Sequence, residues 1–363
     1  MHEKIHFPPE PDAFYETLKK RVEIYFAGSK KSRYADFFFY LKAVFFISTY
    51  VLLYLNLLFS DNTAAAFVSM VLMGPFAILI GINVAHDAAH GSISKYKAIN
   101  GIVLFLFDLL GSNSYIWKRR HVYSHHSYPN ILNSDADLKQ NPLVRIFPGD
   151  ELKPIHRYQF LYAPLLYLAY TINWLFVRDF QDFFAKQIGS LQFKGHSRKE
   201  IAKLVFFKLF YISYILVIPL TVSQLDAGMI FLAFLLMNFC ASLLITLALI
   251  PSHVAEDSHF PLPDERGVMQ HSWSHHQLLT IIDFATNNWF LNFLFGGFNH
   301  HVAHHLFPRI CHVHYIHVTP VIKQTAAEFG LAYKHEDSFL HAYISHFRLL
   351  KNNGMAAAKH ILE

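Results

Sequence analysis

Residues 64–90 read AAAFVSMVLMGPFAILIGINVAHDAAH. The run up to Val84 is almost entirely apolar and matches the roughly 20 residues that a helix needs to cross the core of a bilayer. His86 and His90 follow at once, four residues apart, so one helical turn would place both imidazoles on the same face. Histidine pairs with this spacing bind metal on helices. The segment therefore predicts a membrane-spanning helix that ends in a metal site.

Two further histidine boxes repeat this arrangement at the edges of other apolar stretches: His121-Val-Tyr-Ser-His125-His126 and His301-Val-Ala-His304-His305. Imidazole binds iron, zinc, copper and nickel, so the ligand type does not identify the metal. Eight histidines exceed the ligands that one ion uses, which predicts two ions close together. Two irons could reduce oxygen and attack an unactivated C–H bond, whereas zinc has no redox chemistry and would suit hydrolysis.

Four residues outside the boxes are candidates for a supporting role: His253, Asp87, Asp135 and Asp137. His253 follows the last long apolar run and is a candidate ninth ligand. The carboxylates could orient imidazoles from behind, although a helix-end charge for Asp87 and a turn for the other two are the alternatives. A looser cluster near the third box is assigned a structural or solvated role rather than metal binding: His271, His275 and His276.

The composition favours a membrane protein, since 53% of the 363 residues are hydrophobic and only 16% are charged. The net charge of +5 is modest and the cations lie beside apolar segments, which excludes nucleic acid as a partner. Cys240 and Cys311 form no Cys-x-x-Cys pair, which excludes a disulfide framework and a built-in iron–sulfur donor. The N-terminus has no signal-peptide core, so the first membrane segment is expected to drive insertion.

Four stretches are long enough to span a bilayer: about 43–59, 64–84, 204–222 and 227–250. Their two short connections carry no Lys or Arg, whereas the N-terminal arm is basic, so the positive-inside rule places both termini in the cytoplasm. A fifth span would separate the third box from the other two. The apolar stretches at about 101–111 and 158–177 are therefore predicted to be interfacial or re-entrant helices.

The predicted fold is an all-α integral membrane protein with four transmembrane helices in two hairpins, interfacial helices, and a cytoplasmic helical cap that holds a histidine-ligated dimetal site. The predicted divisions are an N-terminal arm (1–42), a membrane domain (43–308) and a helical tail (309–363). Within the tail, Thr319-Pro320 predicts a helix start and Gly330 a helix stop. A second tail helix is expected over about 338–351.

The chain resembles membrane fatty acid desaturases from about Asn83 to Tyr333. The resemblance rests on the three boxes and on three adjoining motifs: Lys118-Arg-Arg-His121, Gly296-Gly-Phe-Asn-His-His-Val-Ala-His-His-Leu-Phe-Pro308 and Cys311-His-Val-His-Tyr315. It is strongest with the front-end and acyl-lipid branch, although His301 stands where front-end members commonly have Gln.

The resemblance implies a non-haem di-iron centre that uses O2 and two electrons to leave a cis double bond in an acyl chain. The implied ligands are the eight boxed histidines, with His253 in the place of an additional histidine. The fused cytochrome b5 motif of many relatives is absent, so the expected donor is a separate ferredoxin, rubredoxin or cytochrome b5 type protein with its reductase. This absence also favours a bacterial inner membrane over the endoplasmic reticulum.

The acyl chain could be carried on coenzyme A or on a lipid. Its head group could meet a basic triplet, for which positive-inside anchoring is the alternative: Lys118, Arg119 and Arg120. A hydroxylase or ketolase of the same superfamily is the nearest alternative function. A histidine-rich metal transporter is a second one, disfavoured because transporters hold their ligands near the bilayer midplane and these boxes lie at the ends of the apolar runs.

Overall fold

The structure is a computed structural model that describes residues 5–9, 11–138 and 142–355. These residues are mostly helical, and the helices in chain order are α1 (Ala13–Ser29), α2 (Phe37–Phe59), α3 (Thr63–His90), α4 (Lys97–Leu109), α5 (Ser114–His125), α6 (Pro154–Leu168), α7 (Tyr170–Phe184), α8 (Arg198–Val222), α9 (Ala227–His253), α10 (Trp273–Thr280), α11 (Trp289–Leu294), α12 (His301–Leu306), α13 (Tyr315–Glu328) and α14 (Phe339–Met355). Two small sheets pair β1 (Gln187–Ile188) with antiparallel β2 (Leu191–Gln192) and β3 (Asp283–Phe284) with parallel β4 (His335–Glu336).

Within the described ranges, four helices are long and apolar enough to cross a membrane, namely α2, α3, α8 and α9. Their two hairpins turn at residues that cap the following helix. The side chain of Asn62 accepts a hydrogen bond from the backbone N–H of Ala65 (3.1 Å), and that of Asp226 from Met229 (2.8 Å). The predicted all-α membrane fold with two helical hairpins is confirmed.

Helices α3 and α9 form the centre of the membrane region. In the most apolar 18-residue stretch of each of these helices, 50% is buried, whereas the corresponding share is 22% in α2 and in α8. The two outer helices instead expose large apolar side chains such as Phe38, Leu52, Phe206 and Leu209. Such a surface is stable in lipid but not in water. The central pair therefore carries the site, and the outer pair shields it from the bilayer.

Two pairs of helices are sharply bent, by 116° between α4 and α5 and by 65° between α6 and α7. The predicted interfacial stretches fall in these pairs. Each bent pair must begin and end on the same side of the membrane, because histidines before and after the bend are in contact. The rings of His90 and His121 lie 5.3 Å apart across α4–α5, and Nε2 of His125 lies 3.2 Å from Nε2 of His253 across α6–α9.

The cap, which comprises α1 and α10 to α14, covers the ends of α3 and α9 that carry histidines. Its core joins Leu18 of α1 to Val302 of α12 and Val318 of α13. The predicted helix start at Thr319-Pro320 is wrong, because α13 begins at Tyr315. Burial of Tyr315 and Val318 in this core extends the helix ahead of the proline. The helix stops before Gly330 as predicted, with φ +66° at that glycine.

The division into arm, membrane domain and tail stays a prediction, and residues 356–363 of the tail lie outside the described residues. The second tail helix is observed as α14. Its first turn lies beside β3, because β4 pairs with β3 in parallel and the ring of Phe339 lies 6.1 Å from that of Phe284.

Gly74 of α3 packs directly against α9, since a β-carbon there would overlap the backbone carbonyl of Met237. We expect Gly74→Ala to lower the free energy of unfolding by at least about 1–3 kcal/mol, because the helices must separate. The midpoint of thermal unfolding in detergent measures this. Gly101→Ala is the matched control, since that helical glycine has open space around it and alanine should be neutral or stabilising there. Equal effects at both positions would contradict the close-contact explanation.

Candidate metal centre

Nine buried histidines converge where α3, α5, α9 and α12 meet. None is more than 8% exposed. Their ring nitrogens form two groups of four, each with ligand atoms within 4.8 Å of one another: His86, His90, His121 and His304 in the first, and His125, His253, His301 and His305 in the second. His126 lies close to both, 3.2 Å from His121 Nε2 and grouped with His304 and His305. The structure thus brings together all eight boxed histidines and His253.

Local backbone features aim these histidines inward. Wide π-helical turns at Gly81–Ala85 and Arg119–His125 precede or include the first two boxes, as is frequent at functional sites. The third box follows Gly296 and Gly297, both with positive φ (58° and 80°). A β-carbon on Gly296 would meet the carbonyl of Ile82 at 2.7 Å. Glycine there lets the third box approach the end of α3.

Five of the imidazoles are oriented from behind through Nδ1. The pairs are His121 with Asp137 (2.7 Å), His125 with Asp135 (2.9 Å), His253 with Asn130 (3.2 Å), His305 with Gln277 (2.9 Å) and His304 with Tyr315 (3.2 Å). Such partners set the tautomer, leaving Nε2 free to bind a metal. Asp135 also closes the turn after the second box, accepting from the backbone of Asn130 (2.9 Å).

Three of these partners, Asn130, Gln277 and Tyr315, were not among the predicted site residues. Tyr315 is the last residue of the Cys311–Tyr315 motif, so the resemblance to desaturases could have indicated a role for it. Gln277 is in α10, directly after the cluster of His271, His275 and His276. That cluster lies outside the nine-histidine centre, and His276 Nε2 bonds the Pro129 carbonyl at 2.8 Å.

The centre fits metal ions by the chemistry of its donors. In the described ranges, six buried ring nitrogens of the nine histidines have no hydrogen-bond partner: His86 Nδ1, His90 Nε2, His126 Nδ1, His301 Nδ1, His304 Nε2 and His305 Nε2. An unpartnered buried polar atom costs about 1–3 kcal/mol, which metal coordination would offset at the Nε2 atoms of His90, His304 and His305. Burial and the neighbouring imidazoles lower the pKa of the third-box histidines far below its usual value. They are therefore neutral, the form that binds metal.

Arg120 is a buried part of the centre, which corrects its prediction as a head-group residue. Its side chain is 2% exposed and contacts Asp137 (2.9 Å) and Asp182 (3.2 Å). Burial raises the pKa of the Asp137 carboxyl, but the hydrogen bond from His121 and the Arg120 charge outweigh this and hold the pKa well below its usual range. The resulting chain of contacts, Arg120 to Asp137 to His121, fixes one predicted ligand. A buried guanidinium such as that of Arg120 needs counter-charges of this kind.

The other two members of the basic triplet also lie away from a free surface. The Arg119 guanidinium stacks on Tyr115, 4.5 Å from the ring centre, and both Arg119 and Lys118 are half-buried. Neither makes an ion pair within the part of the chain that the structure describes. The triplet therefore does not form one head-group site.

Asp87 orients a histidine that is not one of the nine. Its carboxylate lies 3.9 Å from His86 Nδ1, too far for a hydrogen bond, and accepts instead from His312 Nδ1 (2.8 Å) and Cys311 Sγ (3.0 Å). Lys42 of α2 completes this buried network at 3.1 Å from His312 Nε2. Asp87 thus ties the end of α3 to the segment after the third box.

A long apolar cavity of about 670 Å³ runs beneath the centre, between α3, α7 and α9. Histidines from both groups line it, among them His86 and His121 of the first and His125, His253 and His301 of the second. Its exposed lining residues are Pro142, Ala169, Asn173 and Gln181, and they mark where it reaches the surface. Tyr50, Met73, Tyr211 and Met237 line the part farthest along the helices. Met73 precedes His86 by 13 residues on α3, about 20 Å of helix.

The fold and the site together define a membrane protein with a candidate two-metal centre above an apolar cavity. Comparison with known proteins agrees. The family model described as "Fatty acid desaturase" matches residues 61–337. An acyl-lipid (8-3)-desaturase of Physcomitrium patens is 33% identical over 354 residues, which are 95% of this chain and 72% of that protein. An sn-1 linoleoyl-lipid 6-desaturase of Synechocystis sp. is 30% identical over 362 residues, which are 98% of this chain and 99% of that protein.

A second sn-1 linoleoyl-lipid 6-desaturase, from Arthrospira platensis, is 31% identical over 93% of this chain and 92% of that protein. The chain belongs to the fatty acid desaturase family. It is an oxygen-dependent oxidoreductase of fatty acyl chains, as the resemblance implied.

Proposed function

We propose that this chain is an acyl-lipid desaturase that introduces a cis double bond at a non-haem di-iron centre held by the nine histidines. The observation that carries the proposal is the course of the cavity. It is lined by histidines of both groups, so an extended acyl chain inside it would pass both candidate metal sites.

The residues of this chain would share the work as follows. The four-histidine groups would each hold one iron, with His126 between them. When bound, the irons would supply the reduction of O2 that drives removal of two hydrogens. The cavity would exclude water and set which carbons lie at the centre, since a saturated chain has no polar group at the reacting position.

The substrate class is supported by the relatives, whose names specify lipid-bound acyl chains. The geometry is compatible with such a substrate. An acyl chain would enter beside Gln181 and extend toward Met73, while the lipid head group stayed at the surface near Pro142. Acyl-CoA is the alternative that the assay below distinguishes.

The electrons would come from a separate carrier protein. Since the ends of α3 and α9 that bear histidines share one side with the basic N-terminal arm, the positive-inside rule supports a cytoplasmic centre. A bacterial inner membrane is the favoured location.

Fatty acid profiling tests the proposed function in a desaturase-deficient host. We expect a new unsaturated acid, bound to lipid, in cells that express the chain. The His304→Ala, His305→Ala variant should abolish it, while His271→Ala, outside the centre, should not. An oxygenated product would move the assignment to a hydroxylase. Unsaturated acyl-CoA that forms before any unsaturated lipid would overturn the acyl-lipid substrate.

Ala241 of α9 lines the cavity, and we expect Ala241→Phe to shift product toward shorter acyl chains by at least about tenfold. The added ring occupies space that the chain needs, and overpacking a cavity is costly. Product chain length by mass spectrometry measures the shift. The neighbouring Cys240→Phe is the matched control, because Cys240 is half-exposed and lies outside the cavity. An unchanged chain-length profile for Ala241→Phe would place the acyl chain elsewhere.

A further inference from the structure

A second large cavity, of about 660 Å³, opens on the cap. It lies between α1, the arm that leads into α2, and the segment after the third box. Its rim carries three exposed cations, Lys31, Arg33 and Arg309. We call it the basic cleft and define it by these three residues and its floor, Tyr15 and Trp273.

The basic cleft carries a net positive charge. Among the described residues, no carboxylate lies within 4 Å of Lys31, Arg33 or Arg309. Glu23 also lines the cleft and makes no ion pair with the residues that the structure describes, while Lys19 is paired with Glu16 (2.5 Å). The cluster is held in place, because the Cys311 N–H donates to the Arg33 carbonyl (2.9 Å). Such a surface favours an acidic partner and speeds its encounter.

The floor of the cleft contacts the backbone of two histidine boxes. The Trp273 indole N–H donates to the carbonyl of His126 (3.3 Å). The Tyr15 hydroxyl donates to the carbonyl of Leu306 (3.0 Å), which directly follows His305. A partner in the cleft would thus be separated from the centre by one layer of side chains.

The basic cleft shares no lining residue with the apolar cavity beneath the centre, which we call the acyl cavity. The acyl cavity reaches the centre from the membrane side, and the cleft reaches it from the cap. A partner could therefore dock while an acyl chain is bound, as a reaction that consumes electrons during turnover requires.

We propose that the basic cleft is the docking surface for an acidic one-electron carrier protein. The inference rests on the proposed function, which needs an external donor. Each docking would pass one electron, oxidising the carrier and reducing the centre. Two such electrons, two protons from solvent and the two hydrogens removed from the acyl chain would convert one O2 to two waters.

Anionic lipid head groups are the competing ligand, since α2 begins only four residues after Arg33. The contact of the floor with His126 and Leu306 favours the carrier, because a lipid head group has no need to reach the centre.

The experiment uses the iron-loaded full chain in nanodiscs of linoleoyl phosphatidylcholine, with two acidic probes. These are a reduced [2Fe–2S] ferredoxin and the reduced haem domain of a cytochrome b5. The variant K31E/R33E/R309E reverses the rim. The control K95E/K97E/K194E makes the same change of charge at exposed residues outside the cleft.

We expect the parent chain to turn over with at least one probe. The cleft variant should raise the KM for that carrier at least about tenfold at low salt, with unchanged iron content and unchanged kcat at saturating carrier. The control should change this KM less than about twofold, and salt should weaken the parent's advantage.

An unchanged carrier KM in the cleft variant would overturn the docking surface. So would a defect that appears only in discs containing phosphatidylglycerol, which would assign the cleft to lipid. Product formed with hydrogen peroxide but with neither carrier would keep the proposed function and overturn the acidic carrier. No product with peroxide or either carrier would instead count against the proposed function itself.

Discussion

Replacing His305 with alanine is expected to reduce product formation at least about 100-fold and to lower the metal content from two ions toward one per chain. His305 is fully buried, and its Nε2 has no partner within the described ranges. It belongs to the second four-histidine group, and its ring stacks on that of His126 with 4.1 Å between the ring centres. Loss of a ligand should exceed the 10–100-fold typical for loss of a supporting partner. Metal analysis of purified protein, beside product quantification, measures both effects.

His276→Ala is the control for this prediction. His276 is equally buried, at 1% exposure, but its Nε2 bonds the Pro129 carbonyl rather than facing the centre. This variant should lose stability through an unpaired carbonyl while it keeps its metal. If His305→Ala retained both ions, or if His276→Ala lost as much metal, the assignment of ligands by ring geometry would be contradicted.

Replacing Asp137 with asparagine is expected to weaken metal binding by about 10–100-fold while the protein stays folded. The carboxylate accepts hydrogen bonds from His121 Nδ1 (2.7 Å) and Arg120 Nε (2.9 Å). Asparagine has nearly the same shape but no charge, so it stabilises the imidazole less and leaves Arg120 with Asp182 alone. Competition with a chelator, followed by metal analysis, measures the affinity, and turnover at saturating metal separates binding from chemistry.

The matched control for Asp137 is Asp337→Asn. Asp337 also lies beside a histidine, His335, at 3.4 Å, but its side chain is 94% exposed. Water and salt screen an exposed pair of this kind, so metal affinity should not change. Equal metal affinity in Asp137→Asn and the parent chain would remove Asp137 from its supporting role.

The spacing of the boxes predicted much of the centre. Pairs such as His86 and His90 share a helix face because three or four residues make one turn, and His253 joined them because its apolar run ends on the same side. The role of Arg120, by contrast, could not be predicted from the spacing of the boxes. Neither predicted role, head-group binding or anchoring, describes it, because its partner Asp182 is 62 residues away along the chain.

The partner of Asp87 could not be predicted from its neighbours in the sequence either. Its neighbour in sequence, His86, is not its hydrogen-bond partner, whereas His312 is, 225 residues later. Likewise Gln277 behind His305 has no signal in its own neighbourhood.

The sequence by itself determined the four apolar helices, their pairing into hairpins and the return of all three boxes to one side. These properties depend on segment length, helical period and parity, which are read along the chain. Only the tertiary structure decided which carboxylate or amide lies behind which imidazole, how Arg120 is neutralised and where the cavity runs. Those depend on contacts between distant segments, which fall into place when burial forces each polar group to find a partner.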